Sequence, residues 1–129
     1  MQTLLKEKYL TVEVDTAKKL MIQTWVGFCN SEQLRDGHKK SFELFSKNKC
    51  DKFICNTKDA AVLKKDDTEW ATANVTPALV KAGVKSLNFV IPDSAFAKMS
   101  LKNLEMAEEK QGNVKVNYYQ NIDEAIKNI

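Results

Sequence analysis

The chain of 129 residues is 43% hydrophobic and 29% charged, with only four Gly and two Pro, which is typical of one globular domain spanning residues 1–129. This composition excludes the disordered and fibrous classes, because their sequences lack enough apolar residues to build a core. The net charge is only +3, and the lysines alternate with acidic residues instead of forming a concentrated basic face. We therefore expect no nucleic-acid partner.

Membrane insertion and disulfide chemistry are also not expected. The longest apolar runs, such as SLNFVIP, are far shorter than the roughly 20 residues of a membrane-spanning helix. The first residues become charged too early for a signal peptide, so we expect a cytoplasmic protein. The cysteines Cys29, Cys50 and Cys55 lack CxxC spacing, which indicates reduced thiols that pack in the core. We expect neither a metal nor a cofactor.

The N-terminal third predicts two strands and a helix. Residues 8–14 and 20–27 alternate between apolar and polar side chains on either side of a polar turn, which predicts an antiparallel hairpin. A helix follows, in which Asn30 is the expected N-cap and Gln33 completes a capping box. The apolar face of this helix is predicted to carry Leu34, His38, Phe42 and Phe45.

The remainder of the chain alternates between strands and helices. KFICN predicts the third strand, and a polar loop follows it. The next elements are helix 66–83, strand 86–92, helix 93–112, strand 114–119 and helix 121–129. We expect Asp66 to cap the helix that begins there, and Pro77 to break or kink that helix near residues 74–76.

The predicted order is thus ββαβαβαβα. The later strands are nearly continuous apolar runs, which favours parallel pairing beneath covering helices. We therefore predict an α/β fold with a mixed sheet, in which the N-terminal hairpin forms an antiparallel edge.

Several segments resemble the small SpoIIAA-like, STAS-type domains found as stand-alone bacterial proteins. They are IQTWVGF, EQLRDGHKKSFEL, EWATANVTPALVKAGVKSLNFVIP and FAKMSLKNL. The resemblance covers nearly the whole chain and implies a sheet with helices packed around it. The same general fold is shared with lipid-carrying Sec14-type modules.

The resemblance also implies a place to look for a regulatory switch. In the anti-sigma-antagonist branch of the family, the third strand leads to an Asp-Ser pair whose serine is phosphorylated. This sequence has Thr57 and Asp59 in that region and no serine. We therefore interpret the segment mainly as a connecting loop, with phosphorylation of Thr57 as the less favoured alternative. It remains a candidate binding surface, because ligands bind at the carboxyl ends of parallel strands.

The sequence favours a protein without catalytic activity. It contains no nucleophile-elbow, P-loop, dinucleotide-binding or zinc-protease motif. His38 lies on the apolar face of its helix, which is typical of a hydrogen-bonded core residue rather than a catalytic base. The neighbouring Gly37 weakens the helix, which indicates that another part of the molecule, such as a backbone, packs closely there.

Two functions remain open. The first is a non-catalytic regulatory or protein-interaction module, with a protein partner or a homodimer formed through the open edge of the hairpin. The second is a carrier or sensor of a small apolar or lipid-like ligand. Trp70 lies on the flank of its helix and packs under a neighbouring loop or lines a groove. The ligand pocket would be lined by Trp70, Leu79, Phe96 and Met99.

Overall fold

The computed structural model describes residues 1–61, 64–93 and 114–129, which form one six-stranded sheet flanked by helices. The strands are β1 (Gln2–Lys6), β2 (Leu10–Asp15), β3 (Leu20–Gly27), β4 (Lys52–Ala60), β5 (Ser86–Val90) and β6 (Lys115–Tyr119). The helices of the described ranges are α1 (Ser31–Lys47), α2 (Lys65–Lys81) and α3 (Ile122–Lys127). Residues 94–112 of the helix predicted between β5 and β6 lie outside the described residues.

The strands lie side by side in sequence order from β1 to β6. The first three pair antiparallel, whereas β3, β4, β5 and β6 pair parallel. This arrangement confirms the predicted α/β class, with its antiparallel hairpin and later parallel strands. The sequence patterns missed β1, because this edge strand is largely exposed and lacks the alternation of a half-buried strand.

Successive side chains of a strand point to opposite faces of the sheet, so the core has one part on each face. On β3, Met21 and Trp25 belong to the larger cluster, which also contains Leu34 and Phe45 of α1. Leu20 and Ile22 belong to a smaller cluster on the opposite face. That smaller cluster is covered by α3, whose Ala125 is fully buried. The α1 and α2 helices thus share one face of the sheet, and α3 lies on the other.

The capping of α1 follows the prediction closely. Asn30 Oδ1 accepts a hydrogen bond from the Gln33 backbone N–H at 2.8 Å, and Gln33 Oε1 accepts one from the Asn30 N–H at 3.0 Å. This reciprocal pair satisfies two backbone donors at the start of the helix. Asn121 caps α3 in a similar way, because its Oδ1 accepts from the Glu124 N–H at 2.8 Å.

Two predictions about α2 were wrong. The helix begins at Lys65 after Lys64, whose side chain makes no capping bond, so Asp66 is not the cap. It also continues through Pro77 to Lys81, so the predicted break does not occur. Buried Val75 and Leu79 flank the proline, and their packing against the sheet outweighs its local cost.

The predicted polar loop after KFICN was also wrong, because β4 continues to Ala60. Asp59 and Ala60 pair with Val26 and Gly27 of β3, after a register shift that places one extra β4 residue opposite β3. Such a bulge bends a strand and re-aims its side chains. Because this segment is polar, its sequence did not predict a strand, although the strand lies at the edge of the cavity described below.

Gly37 lies where α1 crosses β2 and β3. A Cβ atom added at Gly37 would lie 2.8 Å from Leu10 Cδ2 and 2.9 Å from the Trp25 indole ring. The close neighbours are therefore side chains rather than the backbone that was one expectation. Leu10 is only 1% exposed and belongs to the packed core, so it has little room to move.

We expect Gly37→Ala to destabilise the protein. Alanine gains about 1 kcal/mol of helix propensity over glycine, but overpacking a dense core costs roughly 1 to 3 kcal/mol. The expected net loss is about 1 kcal/mol in urea unfolding. Glu43→Ala, on the exposed side of the same helix, serves as the control and should change stability little. Increased stability of Gly37→Ala would contradict the close contact with Trp25.

Candidate ligand-binding cavity

A cavity of about 590 Å³ lies between α1, α2 and the carboxyl ends of β3, β4 and β5. Its volume falls within the range of about 300 to 1,000 Å³ that is usual for small-molecule sites. Its position is also the usual one, because open α/β sheets bind ligands at the carboxyl ends of their parallel strands.

The cavity walls are mainly apolar. The sheet contributes five large or apolar side chains, namely Trp25, Phe53, Cys55, Leu87 and Phe89. The two helices contribute Leu34, Ala71, Val75 and Leu79. Such a lining favours the hydrocarbon part of a ligand, because burial of apolar surface drives its transfer from water.

The connection from β3 to α1 forms part of the cavity rim. Gly27 has a φ of +67°, a conformation that glycine adopts at little cost and that turns the chain toward α1. The next residue, Phe28, lines the cavity although it is 73% exposed. A large apolar side chain therefore stands at the border between the cavity and solvent.

A buried hydrogen-bond network fixes the state of His38. The Ser41 hydroxyl donates its hydrogen to the Gly37 carbonyl at 2.7 Å, so Ser41 Oγ accepts from Gln23 Nε2 at 2.9 Å. This contact orients the Gln23 amide and directs its NH₂ group toward His38 Nδ1 at 3.3 Å. His38 Nδ1 is therefore an acceptor, and the ring proton lies on Nε2.

The surroundings of His38 keep its ring neutral. The side chain is 5% exposed, and its ring lies 4.9 Å from the Trp25 ring and 6.0 Å from the rings of Phe42 and Trp70. Burial lowers the pKa of His38 from 6.5 to about 4. The structure thus places His38 in the core, with one side of the residue lining the cavity.

Trp70 occupies a different place from the predicted pocket wall. Its ring packs against His38 at 6.0 Å, and the Arg35 guanidinium lies 5.4 Å from its centroid. Trp70 therefore joins α2 to α1 and does not line the cavity, whereas Leu79 does. The other predicted wall residues, Phe96 and Met99, lie outside the described residues.

Thr57 and Asp59 also separate in the structure. Thr57 lines the cavity, and its hydroxyl donates to the Val90 carbonyl at 3.1 Å. Asp59 is exposed on β4 and does not belong to the lining. Phosphorylation of Thr57 would break the bond to Val90, so the geometry gives this hydroxyl a structural role.

Asp67 is the polar residue of the cavity that the sequence interpretation missed. It is 4% exposed and lines the cavity, and its Oδ1 atom is buried without a hydrogen bond from any residue that the structure describes. The sequence carried a signal for this position. Asp67 lies four residues before Ala71 and eight before Val75, on the same inward stripe of α2.

The thiols near the cavity are poorly ionised. Burial, and secondarily the negative charge of Asp67, raises the pKa of Cys29. Burial raises the pKa of Cys55 to about 12, although the Trp25 side chain hydrogen-bonds to it. A thiol rather than a thiolate at both positions is a weak nucleophile.

Comparison with known proteins gives no family assignment, since no family model and no curated protein matches the sequence. Within residues 1–61, 64–93 and 114–129, no three His, Cys, Asp or Glu side chains are grouped so that they could hold a metal ion. No helix in these same ranges is both long and apolar enough to cross a membrane.

The buried neutral His38 predicts a specific pH dependence of stability. Because the pKa of His38 is about 4 in the folded state and near 6.5 when unfolded, the unfolded chain binds more protons between these values. Stability should therefore fall as the pH decreases from 6.5 to 4, with a contribution of roughly 3 kcal/mol from this residue.

The measurement is urea unfolding across this pH range for the wild type and for His38→Asn, which retains an acceptor near the Nδ1 position. The Asn variant should lose less stability on acidification, because its amide does not titrate. Parallel curves for the two proteins would show that His38 is not buried in its neutral form.

Proposed function

We propose that this protein binds a small, largely apolar molecule between α1, α2 and the sheet, and acts as a carrier or sensor of that molecule. The observation that carries the proposal is the apolar cavity of about 590 Å³. Small-molecule sites are usually concave and mainly apolar, with volumes in this range. A partly open apolar space at the carboxyl ends of parallel strands therefore suits an apolar ligand.

The chemistry of the lining supports binding rather than catalysis. His38 is neutral and held through Nδ1 by Gln23, which suits a fixed core residue better than a proton-transfer group. Cys29 and Cys55 have raised pKa values, so neither is an activated nucleophile. We accordingly propose a non-catalytic, cytoplasmic protein.

A relationship to SpoIIAA-like, STAS-type domains is part of the same proposal. It is supported by the sequence segments given above and by a mixed sheet with an antiparallel N-terminal hairpin followed by parallel strands. The lipid-carrying use of the related Sec14-type fold agrees with an apolar cavity.

The second candidate function is a regulatory or protein-interaction module. Phe28 is 73% exposed and Val26 is 47% exposed; Val26 is the next-to-last residue of β3, and Phe28 directly follows that strand. Exposed apolar side chains of this kind are suited to contact with a protein partner. Because Phe28 also borders the cavity, binding of such a partner would depend on the cavity. A homodimer would instead use the open sheet edge formed by β1, the strand next to the predicted hairpin.

Filling the cavity tests the ligand-binding proposal. Ala71 lines the cavity, whereas Ala73 on the same helix is exposed and outside the lining. We expect Ala71→Leu to weaken binding of the fluorescent apolar probe N-phenylnaphthylamine at least tenfold, because the new side chain occupies the space of the probe. Ala73→Leu should bind like the wild type.

Alanine and leucine have similar helix propensities, so the two variants differ mainly in where the added carbons lie. Fluorescence titration gives the dissociation constant of each protein. Equal probe affinity for Ala71→Leu and Ala73→Leu would place probe binding outside the cavity and contradict the proposal.

A further inference from the structure

The cavity lining includes a buried acceptor atom that has no hydrogen-bond partner among the described residues. Asp67 is 4% exposed among lining residues that are mainly apolar, and its Oδ1 atom receives no hydrogen bond from the described part of the chain. Burial of an unsatisfied polar atom is costly unless a partner replaces the lost water. A hydrogen-bond donor on a molecule bound in the cavity would satisfy this atom.

The position of Asp67 in its helix suits an acidic side chain. Asp67 is the third residue of α2, where the free N–H groups and the helix dipole stabilise a negative charge. Asp67 also lies close enough to Cys29, another residue of the lining, to add to the effect of burial in raising the pKa of that thiol. An ionised carboxylate only accepts hydrogen bonds, so its partner has to be a donor.

The other titratable residues of the described lining do not supply a hydrogen bond to Asp67 Oδ1. His38 is neutral, and Cys29 and Cys55 are protonated thiols. Lys64, the cationic residue of this lining, is exposed. The described lining thus combines apolar walls with a buried carboxylate.

We propose that the ligand of this cavity is an apolar amine, whose protonated head group donates to Asp67 while its hydrocarbon part contacts the walls formed by Trp25, Leu34 and Val75. The proposal rests on the ligand-binding function proposed above. An ammonium suits this place better than a hydroxyl, because a charge-assisted hydrogen bond both satisfies Oδ1 and neutralises the buried charge.

Three probes of eight carbons each distinguish the contribution of the head group to binding from that of the hydrocarbon chain, which is identical in the amine and the alcohol and one carbon shorter in the carboxylate. They are octylamine, 1-octanol and octanoate, and their binding can be measured by isothermal titration calorimetry at neutral pH, where the amine is protonated. We expect octylamine to bind at least tenfold more tightly than octanol, and octanoate to bind more weakly than octanol. The net charge of +3 would by itself favour octanoate, so general electrostatic attraction cannot produce this order.

Asp67→Asn should reduce octylamine affinity at least tenfold and leave octanol affinity nearly unchanged. Asp66→Asn is the matched control, because Asp66 lies in the same turn but is exposed and outside the lining. Circular dichroism establishes that both variants fold. If Asp67→Asn does not fold, the ratio of octylamine to octanol affinity in the wild type still decides the matter.

The outcomes distinguish the two proposals. If octanol binds and octylamine binds no more tightly, or if Asp67→Asn retains the full preference for octylamine, the amine is overturned while the apolar site remains. If none of the three probes binds, the proposed ligand-binding function fails as well.

Discussion

The contact between α1 and β3 is the interaction on which the site depends. Gln23 lies fully buried in β3, and its amide donates to Ser41 and His38 of the helix. One turn of α1 is thereby tied to the sheet by polar contacts inside an apolar core. Beside them, the absence of a side chain at Gly37 lets the helix approach Leu10 and Trp25.

This contact fixes the positions of aromatic residues that line the cavity or join α1 to α2. Trp25 is held between Gly37 and the ring of His38, and it becomes a fixed wall of the cavity. Trp70 of α2 packs against His38 and so connects α2 to α1. The cavity is the space between these helices and the sheet, near the carboxyl ends of the strands. A polar network that specifies helix position thus also shapes an apolar site.

The sequence predicted the parts of the fold that depend on local rules. The alternation of β2 and β3, the capping box of Asn30 and Gln33, and the parallel character of the later strands all follow from neighbouring residues. The polar half of β4 was missed because its pairing with Val26 and Gly27 is tertiary. The continuity of α2 through Pro77 likewise depends on packing that outweighs local preference.

The candidate site was only partly predictable for the same reason. The spacing of the apolar face placed His38 inward, and the end of β4 was a reasonable location for a binding surface. The cavity itself could not be read from the sequence, because its existence depends on how far the helices stand from the sheet. Asp67 was missed, although its spacing with Ala71 and Val75 placed it on the inward stripe of α2.

Native mass spectrometry would show whether the cavity holds a small molecule. Protein purified from its own host should be measured under native conditions and again after denaturation. We expect part of the native population to carry extra mass that disappears on denaturation, because a non-covalently bound ligand is lost when the protein unfolds. Identical native and denatured chain masses, with no such species after gentle purification, would contradict it.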